Sequence, residues 1–208
     1  MNNIQITYNL YHGKFCFLSQ EDKVKFYNSS TAHGIYFAAV SKINMMESNT
    51  VETKLQTDRT EIQYLYEQLV DSWNKMNSNA YAALFTEDGS IVGFDGSQAN
   101  SRKDIHDHLS EIFTDHQPAK FITIIREIRF LSPSVGLLRA VAGMVPRGKA
   151  EINPKTNAIQ SLVAIKKDDH FLIAMFQNTP AAYHGRPQLA EQLTKELQQQ
   201  LEIKMQLQ

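Results

Sequence analysis

Apolar residues recur at steps of three and four through Ile62, Leu65, Tyr66, Leu69, Val70, Trp73 and Met76, which predicts a helix with one face to bury. Asp58, with Glu61 three positions on, forms a weak capping box and puts the start of that helix, and of the folded domain, at Thr57 or Asp58. A short helix beginning at Ser78 and carrying Ala82, Ala83, Leu84 and Phe85 breaks at Asp88-Gly89. The run Ser90 to Phe94 then reads as a strand closed by an Asp95-Gly96 turn. Ser101 and Asp104 repeat the cap signal ahead of a third helix with the face Ile105, Leu109, Ile112 and Phe113, which ends before Pro118.

From Lys120 the periodicity changes to that of extended chain. Phe121 to Leu131 and Val135 to Val145 flank Ser132-Pro133-Ser134, and Ala158 to Ile165 and Phe171 to Asn178 flank Lys167-Asp168-Asp169. Pro146 to Pro154 is a polar loop carrying Arg147, Gly148 and Lys149. Leu138, Ala140, Ala142 and Met144 alternate with Leu137, Arg139, Val141 and Gly143, so both faces of that strand are largely apolar and one is mostly small, with room for curvature or a cavity. Helices segregated from antiparallel strands indicate an α+β fold. The order α, α, β, α, β, β, β, β suits a strongly bent sheet wrapped around the long helix, with a pocket in the mouth of the cone. Pro187 opens a final helix in which Leu189, Leu193, Leu197, Leu201 and Met205 repeat every four residues. Such a row drifts about 40° per step, so the first half is expected to dock and the last turn to fray. A solvated tail, and a lid or dimer strap over the cone mouth, are the alternatives.

Composition narrows the function classes. The chain has 208 residues, 42% hydrophobic, with 21 basic and 22 acidic side chains, which supports one domain with extensions and supplies no basic field for nucleic acid. No apolar run is long enough to cross a bilayer, and the polar start lacks the features of a secretory signal, so a cytoplasmic protein with no membrane partner is expected. Cys16 is the only cysteine, and no Cys/His ligand spacing surrounds it. Residues 1–44 are rich in aromatics, without proline or arginine, and follow neither period for long apart from a possible strand at Gly34 to Val40. Met45 and Met46 open the polar leader, and translation is expected to start there natively; a partner-binding arm is the rival reading of the segment.

Several separated segments in a shared order carry a resemblance: the Trp73 helix, A-A-L-F-T-E-D-G-S-I-V-G-F-D-G at 82–96, F-L-S-P-S-V-G-L-L-R-A-V-A-G-M at 130–144, N-A-I-Q-S-L-V-A at 157–164 and L-I-A-M-F-Q-N-T-P at 172–180. Residues 58–183 resemble the nuclear transport factor 2-like (NTF2-like) superfamily, specifically its SnoaL-like and SgcJ/EcaC members, between an N-terminal extension at 1–57 and a C-terminal helical extension at 184–208. The resemblance implies the cone, a small-molecule pocket, and a homodimer through the outer sheet face, with Val135, Leu137, Val141, Val163 and Ile165 as contact candidates. Relatives include isomerases, cyclases, dehydratases and non-catalytic binding proteins, and the SgcJ/EcaC branch is commonly labelled oxidoreductase. The sequence carries no G-x-G-x-x-G between strand and helix and no other nicotinamide or metal motif; the cofactor is unknown. Where ketosteroid isomerase-like relatives place a basic carboxylate on the first strand, this chain has Gly93. Asp95, two residues on, could substitute, although Asp-Gly favours a turn.

The remaining candidates each have two readings. His106 and His108 lie about 200° apart on a helix and cannot share a metal, and His108 with Glu111 is a common surface spacing, so no metal site is expected. His108 is a possible pocket acid or base. Trp73 and Phe94 read as core residues that could also wall a pocket. Arg126, Arg129 and Arg139 interrupt apolar strands. Arg126, on a face with Ile122, Ile124, Ile128 and Phe130, is the one expected inside or at an interface, while sheet-edge pairing is the alternative for all three. Just one of Gln177 and Asn178 can face the pocket. Two functions follow: an enzyme acting on a small hydrophobic, polar-tipped compound, with Asp95 or His108 moving a proton and Arg139 or Asn178 holding an oxygen, or a binding or dimerisation module with the same cavity and no competent base.

Overall fold

Helix α1 extends over Ser29–Asn74, far longer than the apolar periodicity predicts, in the computed structural model of the chain. The structure describes the backbone of residues 10–11, 14–18, 24–27 and 29–207 and the side chains of residues 45–207. The chain divides into two compact units, Met1–Gln56 and Thr57–Gln208. In the first, β1 (Leu10–Tyr11), β2 (Lys14–Leu18) and β3 (Val24–Tyr27) pair antiparallel in that order. Residues 34–40, read above as a possible strand, are helical.

The second unit comprises the end of α1, then α2 (Ser78–Ala83), β4 (Phe85–Val92), β5 (Gln98–Ala99), α3 (Arg102–Asp115), β6 (Lys120–Ser132), β7 (Val135–Val145), β8 (Asn153–Lys167), β9 (His170–Pro180) and α4 (Pro187–Gln206). Its α+β architecture is a curled six-stranded sheet in the order β5-β4-β9-β8-β7-β6, antiparallel except for β4 against β9. Ile62, Leu65, Tyr66 and Leu69 of α1 pack into its concave face against Leu138, Ala140, Leu162, Ala164 and Ile173.

Asp58 and Glu61 do not cap α1, because the helix runs through them. Asp58 is buried and its carboxylate meets the Lys166 ammonium at 2.6 Å; Glu61 Oε1 accepts the Phe171 amide at 2.9 Å. The carboxylates that resemble a capping box in sequence therefore anchor the β8–β9 hairpin. Helix α1 also occupies the free edge of β6, where unpaired backbone groups would otherwise template further pairing. Arg59 donates to the Ile128 carbonyl, Trp73 Nε1 to the Ala119 carbonyl at 3.0 Å, and the Asn74 amide both accepts from and donates to the Phe121 backbone at 2.7 and 3.1 Å.

The end of α1 is a Schellman motif, with Asn77 N–H reaching the Ser72 carbonyl and Met76 N–H the Trp73 carbonyl, each at 2.9 Å. Met76 holds the left-handed position at φ 54°, where a side chain costs roughly 1 kcal/mol relative to glycine. Met76→Gly is expected to raise stability by about 1 kcal/mol, read as a higher midpoint in denaturant; an unchanged or lower midpoint would contradict this.

Strand β4 begins at Phe85, so the short helix ends at Ala83, ahead of the break expected at Asp88-Gly89, and the register of β4 with β9 shifts between Phe85 and Ser90. Arg102 fills the irregularity, donating to the Phe85 carbonyl through Nε at 2.9 Å. The α3 cap is as expected, Ser101 Oγ accepting from Asp104 N–H at 3.0 Å. A bulge between Ile125 and Glu127 reverses the parity of β6. Ile122 and Ile124 consequently face α4, whereas Ile128 and Phe130 face the core. Arg126 stays with Ile122 and Ile124 on the α4 side and does not point inward with Ile128 and Phe130; it pairs with Glu196 of α4.

Helix α4 lies on the convex side of the sheet. Leu193, Leu197 and Leu201 are buried against Ile122, Val141, Ile152 and Ala181. Its middle docks, whereas Leu189 is half-buried and Met205 is 60% exposed, so docking is not confined to the first half. Gly143 permits the close approach: a Cβ there would stand 3.0 Å from Leu197 Cδ1 and 2.8 Å from Ile152 Cγ2.

Candidate functional site

The inward row across the sheet reads Ile125, Ala140, Gln160, Asn178 from β6 to β9. Two of these four are amides, and both are buried: Gln160 is 1% exposed and Asn178 8%. Tyr66 of α1 lies opposite, its hydroxyl donating to Gln160 Oε1 at 2.5 Å, and Gln160 Nε2 donates onward to Asn178 Oδ1 at 3.2 Å. Donation therefore runs in one direction from phenol to amide to amide. The Asn178 Nδ2 group is its terminal donor, with no partner among the described residues. Thr123, inward on β6, lies near enough to the Tyr66 phenol to lower its pKa slightly.

This chain is uncharged. Burial pushes the Tyr66 phenol well above its ordinary pKa, more than Thr123 lowers it, so it remains a neutral donor across the physiological range. Tyr81, packed in the same core, is shifted in the same direction by burial and by its neighbour Tyr66. Beside the chain, Phe121, Ala142 and Ala158 form a small buried cluster. Val70, Trp73, Phe94 and Met144, all partly exposed, complete it toward solvent. Trp73 meets Phe113 edge-on at 5.5 Å between centroids and Phe121 at 5.1 Å. Partly exposed apolar side chains beside hydrogen-bonding amides are the groups that can hold an uncharged molecule by shape and one oxygen.

Of the residues singled out in the sequence, Trp73, Phe94 and Asn178 belong to this interior. Arg139 does not. It lies on the convex face, where its Nε donates to Glu127 at 2.8 Å, because its neighbours Leu138 and Ala140 take the inward positions. Gln177 is also outward, bonded to Thr179 at 3.1 Å. Asp95 sits in the turn favoured by Asp-Gly: its Oδ1 accepts from Ser97 Oγ at 2.7 Å and Ser97 N–H at 3.1 Å, and the residue is exposed. The Ser97 hydroxyl and amide hold its carboxyl below the usual range, making it a weaker base. His108, half-buried on α3, is close enough for its charged form to add slightly to that lowering. Asp95 in the β4–β5 turn is outside the buried chain, and His108 belongs to α3.

Tyr66, Thr123 and Gln160 were missed. Gln160 was legible in principle, since it shares a strand face with Ala158, Leu162 and Ala164, and a polar residue at an apolar period-two position signals an interior hydrogen bond. Tyr66 read as one more apolar helix position because its acceptor is 94 residues away. Among the described residues, no three His, Cys, Asp or Glu side chains are grouped to hold a metal ion, and no helix is long and apolar enough to cross a membrane.

No protein-family model and no curated protein sequence match the chain. Solved structures do. A domain of unknown function with a cystatin-like fold from Nostoc punctiforme has a TM-score of 0.59 at 22% identity, covering 65% of this chain and 85% of its own. An uncharacterised protein with a cystatin-like fold from Caulobacter vibrioides gives 0.51 at 22%, covering 64% and 98%. An NTF2-like protein with a cystatin-like fold from Novosphingobium aromaticivorans gives 0.51 at 14%, covering 68% and 93%. The fold is therefore NTF2-like, of the cystatin-like type; at these identities the likeness concerns fold alone.

Proposed function

We propose that the Thr57–Gln208 unit is a binding module for a small, uncharged hydrophobic molecule bearing a carbonyl or hydroxyl oxygen. The ligand enters past Trp73 and Phe94 and its oxygen accepts from Asn178. The observation that carries this reading is the neutral, one-directional chain Tyr66–Gln160–Asn178. It offers a donor where a carboxylate or imidazole would be needed for proton transfer. Among the described residues, Asp58 is the only acidic side chain in the buried polar set, and Lys166 pairs it at the β8–β9 hairpin. The isomerase, cyclase or hydratase reading would need Asp95 to act from the β4–β5 turn or His108 from α3. The oxidoreductase label of the SgcJ/EcaC branch adds nothing to the binding argument.

Native mass spectrometry of the purified chain is expected to reveal a bound neutral molecule, with occupancy falling about tenfold or more in Asn178→Leu, in line with one lost buried hydrogen bond. Cooperative melting of the variant keeps the comparison valid. Absence of a bound mass, together with no thermal shift from decanol or a long-chain ketone, would remove the proposal.

Homodimerisation is a second reading, favoured by the convex face that α4 leaves open. Helix α4 covers Val141, but Leu137, Val163 and Ile165 are only half-buried and Ile159 is 40% exposed. The same sample run in sedimentation is expected to show a dimer that Ile159→Glu dissociates; a wild-type monomer at all concentrations would exclude it.

A further inference from the structure

Four cations line two adjoining grooves where the loop after β7 meets the start of β6 and the end of α4. Arg147, Lys149 and Lys120 line a groove of about 470 Å³ between that loop and the end of α1. A second groove of about 470 Å³ shares Asn74, Lys120 and Val145 with the first and continues to Lys204. The four have no ion-pair partner among the described residues, whereas Arg102, Arg126, Arg139 and Lys166 each have a carboxylate. The one acidic residue in the two linings, Asp71, is engaged by Lys75 at 2.8 Å. In a chain whose net charge is −1, this is a local excess of positive charge that an anion would relieve.

The groove floor is apolar. Ile122, Val145 and Leu201 contribute to it, and two methionines stand exposed on its walls, Met76 at 43% and Met205 at 60%. Exposed methionine is a flexible apolar surface that can mould to a ligand. The loop supplying Arg147 is a tight turn, with Lys149 N–H on the Pro146 carbonyl at 3.0 Å and Gly148 at φ 72°, so Arg147 and Lys149 are held on a short, constrained span.

We infer that these joined grooves bind a small amphipathic oxyanion, with its carboxylate or phosphate head at Lys120, Arg147 and Lys149 and its apolar body along Val145 and Leu201 toward Lys204. The volumes suit a small molecule better than a macromolecular surface, and Arg147 can grip a planar or tetrahedral oxyanion through two N–H groups. This site is separate from the cone interior, and neither reading depends on the other.

Isothermal titration of the full chain with decanoate and with decyl phosphate tests it, with inorganic phosphate and decanol as half-ligands. Both amphipathic anions are expected to bind at least about tenfold more tightly than inorganic phosphate, since each chain adds buried apolar area. Lys120→Gln/Arg147→Gln is expected to weaken them about tenfold or more, and salt near 1 M, where screening acts within about 3 Å, should do the same. Decanol binding, if seen, should respond to Asn178→Leu and not to the cation substitutions. Equal affinity for decanoate and decanol, or anion binding unchanged in the double variant, would overturn the inference. So would binding to phosphatidylglycerol vesicles with none to decanoate, which would transfer the cations to a membrane surface.

Discussion

Leu197→Ala is expected to destabilise the Thr57–Gln208 unit by about 2–5 kcal/mol, the range for deleting a fully buried leucine side chain whose surroundings relax only in part. Leu197 is 0% exposed and sits over the Gly143 window between Ile152 and Val141, where backbone and helix are already in close contact. Removing residues 188–208 should go further, uncovering Ile122, Val141 and Ile152 together and giving a chain that melts without cooperativity or self-associates. Urea unfolding of the point variant and calorimetry of the truncation measure these. A truncated chain that stays monomeric with an unaltered midpoint would show that α4 is a passenger on the sheet.

Lys166→Met is expected to cost about 3 kcal/mol, toward the lower end for breaking a buried ion pair because one partner retains some solvent. The Lys166 and Asp58 side chains are 16% and 6% exposed, and the ammonium also lies 5.1 Å from the Phe171 ring centre. The Asp58 hydrogen bond, and then the charges of Asp58, Glu61 and Asp169, raise the Lys166 pKa above its ordinary 10.5 despite some desolvation. A raised folded-state pKa means that the contribution is fully present below the unfolded-state value and declines as pH rises through the folded-state value. The wild type should therefore lose stability above about pH 10.4 more steeply than Lys166→Met, which has no such proton to release. Parallel curves of unfolding free energy against pH for the two proteins would refute the assignment.

Local spacing was sufficient for some elements of this protein. The Ser101 cap, the α3 face Ile105 and Leu109, and the Asp95-Gly96 turn depend on residues within four positions of one another, and the structure has them where the spacing predicts. Asp168-Asp169 likewise makes a two-residue hairpin turn, with both residues at positive φ between the Lys167–His170 pair. The separated α and β blocks also suffice for the α+β fold and for a bent sheet around a helix.

What failed had distant causes. Period-two reasoning assigns Arg126 and Ile128 to one face, but a single bulge at Arg126 inserts a residue and divides them between α4 and the core. Arg139 was attached to the pocket by chemistry, yet which face of β7 turns inward is decided by the helix packed into the sheet. Asp58 and Glu61 have the spacing of a cap and serve as partners for Lys166 and Phe171 more than 100 positions away. The sequence by itself determined the elements and their order, because helix and strand periods are properties of neighbouring residues. Only the tertiary structure decided that Tyr66, Gln160 and Asn178 form one hydrogen-bonded chain, because a buried polar group is defined by the partner that satisfies it, and here that partner comes from another element of the fold.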